Sequence, residues 1–122
     1  MKFHLTQAAG QNLFTAYGDG FVAINHQRFD HPVLVAPAQP VTRWDASSVE
    51  SLTSTHFDAI LELKPEIVIL GTGDRLRFPK PSLTRALAVA AVGFEAMDTK
   101  AACRTYNILM AEGRQVVAAI LI

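Results

Sequence analysis

The residues best placed to do chemistry lie in Gly71-Thr72-Gly73, at the end of the apolar run Glu66-Ile-Val-Ile-Leu70, with Arg75 and Arg77 just beyond. Backbone amides of a glycine-rich turn at a strand's carboxyl end can form a concave nest for an anion. A helix starting at Ser82 would add its positive end. Two exclusions narrow that chemistry. A dinucleotide fingerprint needs a third glycine where Leu76 stands and a helix that begins at once, whereas Asp74 to Pro81, with Pro79 and Pro81, delay it. No Gly-Lys-Ser/Thr follows, which excludes a P-loop. Two readings stay open: an anion site, or a tight exit from a strand in which glycine permits a sharp turn and close backbone approach.

A second polar cluster runs from Met97 to Leu109, unusual for a helix start beside a sheet. Thr99, Thr105 and Asn107 could orient a ligand there, with positive charge from Arg104 and Arg114. The alternative is capping plus solvated ion pairs, Arg104 with Glu112 and Arg114 with Glu112 or Glu95. Cys103 falls near the helix's first turn with no histidine beside it in sequence, and reads as a small packed residue. His4, His26, His31 and His56 all precede residue 60. His26 and His31 flank a turn with Asp30 but supply no set of four close ligands, so no metal is expected. There is no Gly-x-Ser-x-Gly elbow. No catalytic residue is assigned and no cofactor is expected.

Composition bounds the partners. The chain has 122 residues, 50% of them hydrophobic and 18% charged, enough for a packed core and too apolar for disorder. Eleven basic residues balance eleven acidic ones without a basic run, which argues against nucleic acid or an anionic membrane as partner. A single cysteine allows no intrachain disulfide. The first residues carry no apolar signal core, and no apolar stretch reaches the ~18–20 residues that span a bilayer. A cytoplasmic protein without direct membrane insertion is the expectation.

These residues are held by short elements. Lys2–Leu5, Leu13–Tyr17, Phe21–Ile24, Pro32–Ala36 and Val41–Trp44 read as strands, with turns at Tyr17-Gly-Asp-Gly-Phe21 and Asn25-His26-Gln27. Ser47 and Glu50 have capping-box spacing, as for a single turn, and Thr53 or Ser54 caps a helix that Pro65 stops after about Leu63. Glu66–Leu70 reads as a strand covered on both faces. Leu83, Ala86, Leu87 and Ala90 give a helical face for which Gly93 supplies the stop. Phe94–Met97 is a strand, Asp98 or Thr99 caps a third helix ending at Glu112-Gly113, and Val116–Ile122 is a last buried strand. The result is one α/β domain over residues 1–122, β-rich to residue 44 and alternating α and β from 45 onward. Its central sheet is largely parallel.

Taken jointly, Ile69-Leu-Gly-Thr-Gly73, Arg77-Phe-Pro79, Met97-Asp-Thr99, Arg104-Thr-Tyr-Asn-Ile-Leu109 and Glu112-Gly-Arg-Gln-Val116 resemble one family of small α/β proteins of long-unknown function. That family includes an assembly factor of mitochondrial respiratory complex I, an adipogenesis-associated cytosolic protein and many short bacterial and archaeal members. The resemblance spans nearly the whole chain and is strongest from Ile67 to Ile122. It implies a three-layer fold with a mixed central sheet, helices packed on it and a β-rich flank. It implies no established enzymatic activity, and it suggests a role through protein contact. A bacterial member is the expectation. Lys100 stands where many relatives carry a small residue, and it would crowd the Gly-Thr-Gly side if the helix start faces it.

Two functional readings follow. The first is a non-catalytic interaction or assembly-factor-like protein with protein partners, for which Trp44, Phe78 and Tyr106 are the candidate anchors. The second is a small anionic-ligand binder or weak enzyme using Gly71, Thr72, Gly73, Arg75, Arg77, Thr99, Arg104, Thr105, Asn107 and Arg114. A homodimer hiding one face is compatible with either.

Overall fold

The computed structural model describes residues 10–122, so the expected strand Lys2–Leu5 and His4 lie outside the described residues. The elements in order are β1 (Phe14–Gly18), β2 (Phe21–Ile24), β3 (Gln27–Phe29), β4 (Val33–Val35), β5 (Thr42–Arg43), α1 (Ser54–Leu61), β6 (Ile67–Thr72), α2 (Pro81–Val89), β7 (Gly93–Met97), α3 (Thr99–Ala111) and β8 (Val116–Leu121).

Local chemistry sets most of these bounds. Gly20 takes φ +78 in the turn between β1 and β2, and Asn25 and His26 take φ +50 and +71 between β2 and β3. Both are the left-handed geometry that tight hairpins need. Thr53 is the N-cap of α1, and its N–H donates to His56 Nδ1 at 2.8 Å. The other ring nitrogen of His56 meets the Asp45 carbonyl, which places the ring proton on Nε2. Asp98 caps α3 by accepting from the Ala101 N–H at 2.9 Å. At the other end of α3, Gly113 at φ +81 lets the Arg114 N–H reach the Leu109 carbonyl.

Two expected signals act differently in the fold. The stop of α2 is Ala91, not Gly93. Ala91 takes φ +58 while Val92 N–H bonds the Leu87 carbonyl and Ala91 N–H bonds that of Ala88. That is a left-handed helix end formed by alanine, and Gly93 instead begins β7. The single turn expected of the Ser47 and Glu50 spacing forms, but its reciprocal bonds fall one residue on. Ser48 and Ser51 close a turn through reciprocal backbone and hydroxyl bonds.

The sheets divide the chain's β-rich flank. β1-β2-β3 form an antiparallel three-stranded sheet of their own, while β4 and β5 join the central sheet, whose order is β5-β4-β8-β6-β7. β6 pairs parallel with both β7 and β8, and β4 is antiparallel to β8 and β5. The step from β6 to β7 runs one way along the sheet, and the step from β7 to β8 runs back past β6. A fixed crossover hand therefore sends α2 and α3 to opposite faces.

That division makes three layers. One face of the central sheet (Leu34, Val68, Leu70, Val117, Ala119, Leu121) packs against Phe57 and Ile60 of α1, Leu87 of α2, and Trp44. The other (Val33, Val35, Ile69, Val116, Ala118, Ile120) packs against Ala102, Cys103, Tyr106 and Met110 of α3, and against Phe14, Val22 and Ile24 of the small sheet. Asn107 ties the small sheet to α3: its side chain accepts from the Phe14 N–H and donates to the Phe14 carbonyl, each at 2.9 Å.

Close packing of α3 on β6 depends on Gly71. A Cβ there would lie 2.9 Å from Ile120 Cδ1, 3.0 Å from Thr99 Oγ1 and 3.2 Å from Ala102 Cβ. Gly73 has open space around it but takes φ +98. Gly71→Ala is therefore expected to lower stability by about 1–3 kcal/mol through overpacking. Gly73→Ala is expected to lower it by about 1–2 kcal/mol through backbone strain alone. Urea unfolding checks both, and a neutral Gly71→Ala would contradict the close approach.

Candidate functional site

β6, β7 and β8 all end at one edge of the sheet, with the start of α3 and the β1–β2 turn against them. Between these parts lies an open cleft of about 610 Å³, lined by Gly18–Phe21, Ser47, Ser48, Thr72–Asp74, Arg77, Asp98–Lys100, Leu121 and Ile122. Open α/β sheets place ligands at such a crevice, where successive connections leave on opposite faces.

Thr72 and Gly73 line this cleft, and the polar groups shown for the segment are already engaged. Gly71 registers with Met97 of β7 and Ile120 of β8, and Thr72 with Leu121 of β8. The Gly73 N–H donates to Thr99 Oγ1 at 2.9 Å, and the Thr99 N–H donates to the Gly73 carbonyl at 2.9 Å. Thr99 Oγ1 in turn donates to the Leu121 carbonyl at 2.6 Å. The buried Thr72 hydroxyl donates to the Arg75 carbonyl at 2.7 Å and accepts from the Arg77 N–H at 3.2 Å. The segment is a structural tie rather than an open anion nest.

Charge points the same way. The cleft's lining holds three carboxylates, Asp19, Asp74 and Asp98, against two cations, Arg77 and Lys100. Lys100 Nζ is 3.2 Å from Asp19 Oδ1, and Arg77 Nε is 4.0 Å from Glu50 Oε2. The start of α3 does face the Gly-Thr-Gly side, and Lys100 reaches across the cleft mouth to the hairpin turn. Both pairs are solvated and hold their geometry weakly. An acidic surplus with its cations paired does not favour an anion.

The structure gathers Thr72, Gly73, Arg77 and Thr99 here, keeps Gly71 within β6 beneath α3, and disperses the other sequence candidates. Arg75 is exposed on the loop. Thr105 is half-buried six residues along α3 from Thr99, ~9 Å by helical rise. Asn107 is spent on Phe14. Arg104 Nη1 meets the Tyr17 hydroxyl at 3.3 Å rather than Glu112. Arg114 lies at the opposite end of the sheet, with its Nε 3.1 Å from Glu66 Oε2, and not against Glu112 or Glu95. The Gln115 N–H that Glu66 accepts, and then Arg114 beside it, hold the Glu66 carboxyl below its ordinary range.

The three candidate anchors also separate. Trp44 is 2% exposed, with its indole N–H aimed at the His56 carbonyl, and Tyr106 is fully buried, with its hydroxyl donating to the Asn12 carbonyl at 3.0 Å. Both are core residues, because each polar tip finds a carbonyl inside. Phe78 alone is at the surface, 72% exposed, with Leu76 at 50% on the same loop. Leu76 is not among the sequence candidates, although a large apolar residue between two arginines in a proline-bounded loop is the sign of its exposure. Ser47, Ser48 and Asp19 reach the cleft only through tertiary folding. Among the described residues, no group of three or more His, Cys, Asp or Glu side chains converges on a metal position.

The fold and this site define a class: a three-layer α/β protein with a mixed central sheet whose glycine loop fastens a helix start to two strand ends. The chain belongs to the family described as "Protein of unknown function (DUF498/DUF598)", which matches residues 14–121. It is similar to the NADH dehydrogenase (ubiquinone) 1 alpha subcomplex assembly factor 3 of Bos taurus, 38% identical over 104 residues, which are 84% of this chain and 55% of that protein. This chain thus spans about half the length of that assembly factor. It is 31% identical to the "13 kDa major membrane protein" of Francisella tularensis subsp. holarctica (strain LVS) over 84% of this chain and 85% of that one. A crystal structure of a Bordetella parapertussis protein has a TM-score of 0.88 at 45% identity, covering 92% of this chain and 96% of that chain. Among the described residues, no helix is long and apolar enough to cross a membrane.

Cys103 is fully buried in the core, and burial pushes its thiol from 9.0 up to about 12. Below about pH 9 both folded and unfolded chains keep the proton, so this contribution to stability is complete. Between about 9 and 12 only the unfolded chain ionises, and stability falls as pH rises. Burial raises the Tyr106 hydroxyl in the same direction. Urea unfolding is therefore expected to show the loss above pH 9, and Cys103→Ala to flatten part of it. The native thiol should react with iodoacetamide at pH 8 at least ~100-fold more slowly than the unfolded one, since the thiolate is the reactive form. Rapid native alkylation would contradict the burial.

Proposed function

We propose that this chain is a non-catalytic interaction protein of the assembly-factor kind, and that it contacts a protein partner through the loop between β6 and α2. The exposure of Phe78 and Leu76 on a loop fastened at its base carries the reading. Large apolar side chains held out to solvent on an ordered loop supply contact area without ordering it on binding. Arg75 and Arg77 flank them, and Arg beside an aromatic anchor is common where binding energy concentrates. Among the described residues, the other large exposed apolar side chains, Val89 on α2 and Ile108 on α3, stand singly on different helices. The similarity of the mammalian assembly factors over 84% or more of this chain supports extending their kind of role to it. The bacterial cytoplasm is the proposed setting, as a chain with one cysteine and no disulfide allows.

Removing the Phe78 ring should weaken a partner by about 10-fold to 100-fold, the equivalent of ~1.5–3 kcal/mol for burying such a side chain. The check is to recover the partner by mild crosslinking in the host cell, purify the pair and titrate wild type against Phe78→Ala. Unchanged melting with weakened binding supports the reading. A partner held equally tightly by Phe78→Ala contradicts it.

A further inference from the structure

β7 is an edge of the central sheet, and among the described residues nothing pairs with its outer side. The Gly93 N–H donates to the Glu66 carbonyl, so Gly93, Glu95 and Met97 turn their backbone groups toward β6. Alternation then turns the N–H and C=O of Phe94 and Ala96 outward.

Natural edges are blunted by shortness, proline, bulges, charged side chains or a cover. β5 has two residues and β3 three. β1 is bulged between Phe14 and Ala16, and Asn107 occupies both backbone groups of Phe14. Among the described residues β7 uses only one of these devices, a charge: its register with β6 is continuous from Gly93 to Met97, it has no proline, and the exposed Glu95 stands at its centre.

We propose that β7 accepts an extended segment of the partner protein as an added antiparallel strand, with a Lys or Arg of that segment opposite Glu95. Phe94 and Ala96 would each exchange two backbone hydrogen bonds with the segment. Glu95, between them, falls at the close, non-hydrogen-bonded position, where an opposite charge stabilises and a like charge destabilises. That position disfavours a second copy of this chain. The antiparallel register that pairs all five residues of β7 with themselves sets Glu95 against Glu95. The Thr72 hydroxyl lies 3.2 Å from the Met97 carbonyl, so the edge ends beside the base of the loop carrying Leu76 and Phe78. The inference rests on the interaction reading and names the chemistry of the partner.

Two soluble nine-residue peptides of alternating Val and Thr, one with a central Lys and one with a central Glu, serve as probes of the full chain labelled with nitrogen-15. The expected result is slowed exchange at the Phe94 and Ala96 amides, with the Lys peptide bound ~3–10-fold more tightly than the Glu peptide. That preference should reverse in Glu95→Lys. Ala96→Pro removes one outward N–H without touching the β6 ladder and should abolish peptide binding. If that variant does not fold, Glu95→Lys carries the test.

No protection with either peptide, or no charge preference, overturns the proposal. So does protection of the same amides that grows with protein concentration in the absence of peptide, which is pairing of two copies. Loss of the edge effect while Phe78→Ala still weakens the partner would remove the added strand and leave the interaction reading standing. Protection that persists while Phe78→Ala binds the partner normally would do the reverse.

Discussion

The Thr99 hydroxyl joins three elements that come from distant parts of the chain. It accepts the Gly73 N–H leaving β6, donates to the Leu121 carbonyl at the end of β8, and sits on the first residue of α3. It is only 7% exposed, so neither of its two partners has water as a ready substitute. The junction is possible because Gly71 has no Cβ, which lets α3 approach β6 at its first turn. Everything at the carboxyl end of the sheet is positioned from there: the cleft, the loop and the end of the β7 edge.

The same junction separates stability from recognition. The two apolar layers supply the core, and polar groups act as ties within it: the buried Thr72, Thr99 and Tyr106 hydroxyl and the half-buried Asn107 each meet backbone atoms of a distant segment. Among the described residues, no buried side-chain nitrogen or oxygen lacks a partner. With the N–H groups of Gly73 and Arg77 and the carbonyls of Gly73 and Arg75 bonded at its base, the β6–α2 loop holds Leu76 and Phe78 out to solvent. A small anion at this turn would need the Gly73 amide, which the Thr99 hydroxyl already holds.

Much of the fold was legible because its signals are local. The Asn25-His26 turn, the Pro65 stop, the Asp98 cap and the continuous apolar runs of β6 and β8 each depend on neighbours in sequence. Non-local facts were hidden. Alternation in residues 13–29 reads the same whether the strands extend the central sheet or form a separate one. Arg114 finds Glu66 only after β6 and β8 pair. Gly93 is the obvious stop for α2, yet the helix closes two residues earlier on Ala91, where packing of β7 outweighs the local preference. The burial of Tyr106 did have a readable sign: Cys103, Tyr106 and Met110 recur at helical spacing on one face. For the site, the sequence held the right loop, but which of its amides are free is decided by a threonine 26 residues away.

The central claim is that the Gly-Thr-Gly loop is a structural tie. Hydrogen exchange of the Gly73 amide in the native protein, with and without millimolar inorganic phosphate, tests it most directly. The account predicts an amide that exchanges only with the slowest-exchanging core of β6 and β8, at a rate phosphate does not change. A fast-exchanging Gly73 amide that phosphate slows saturably would show an open nest and contradict it.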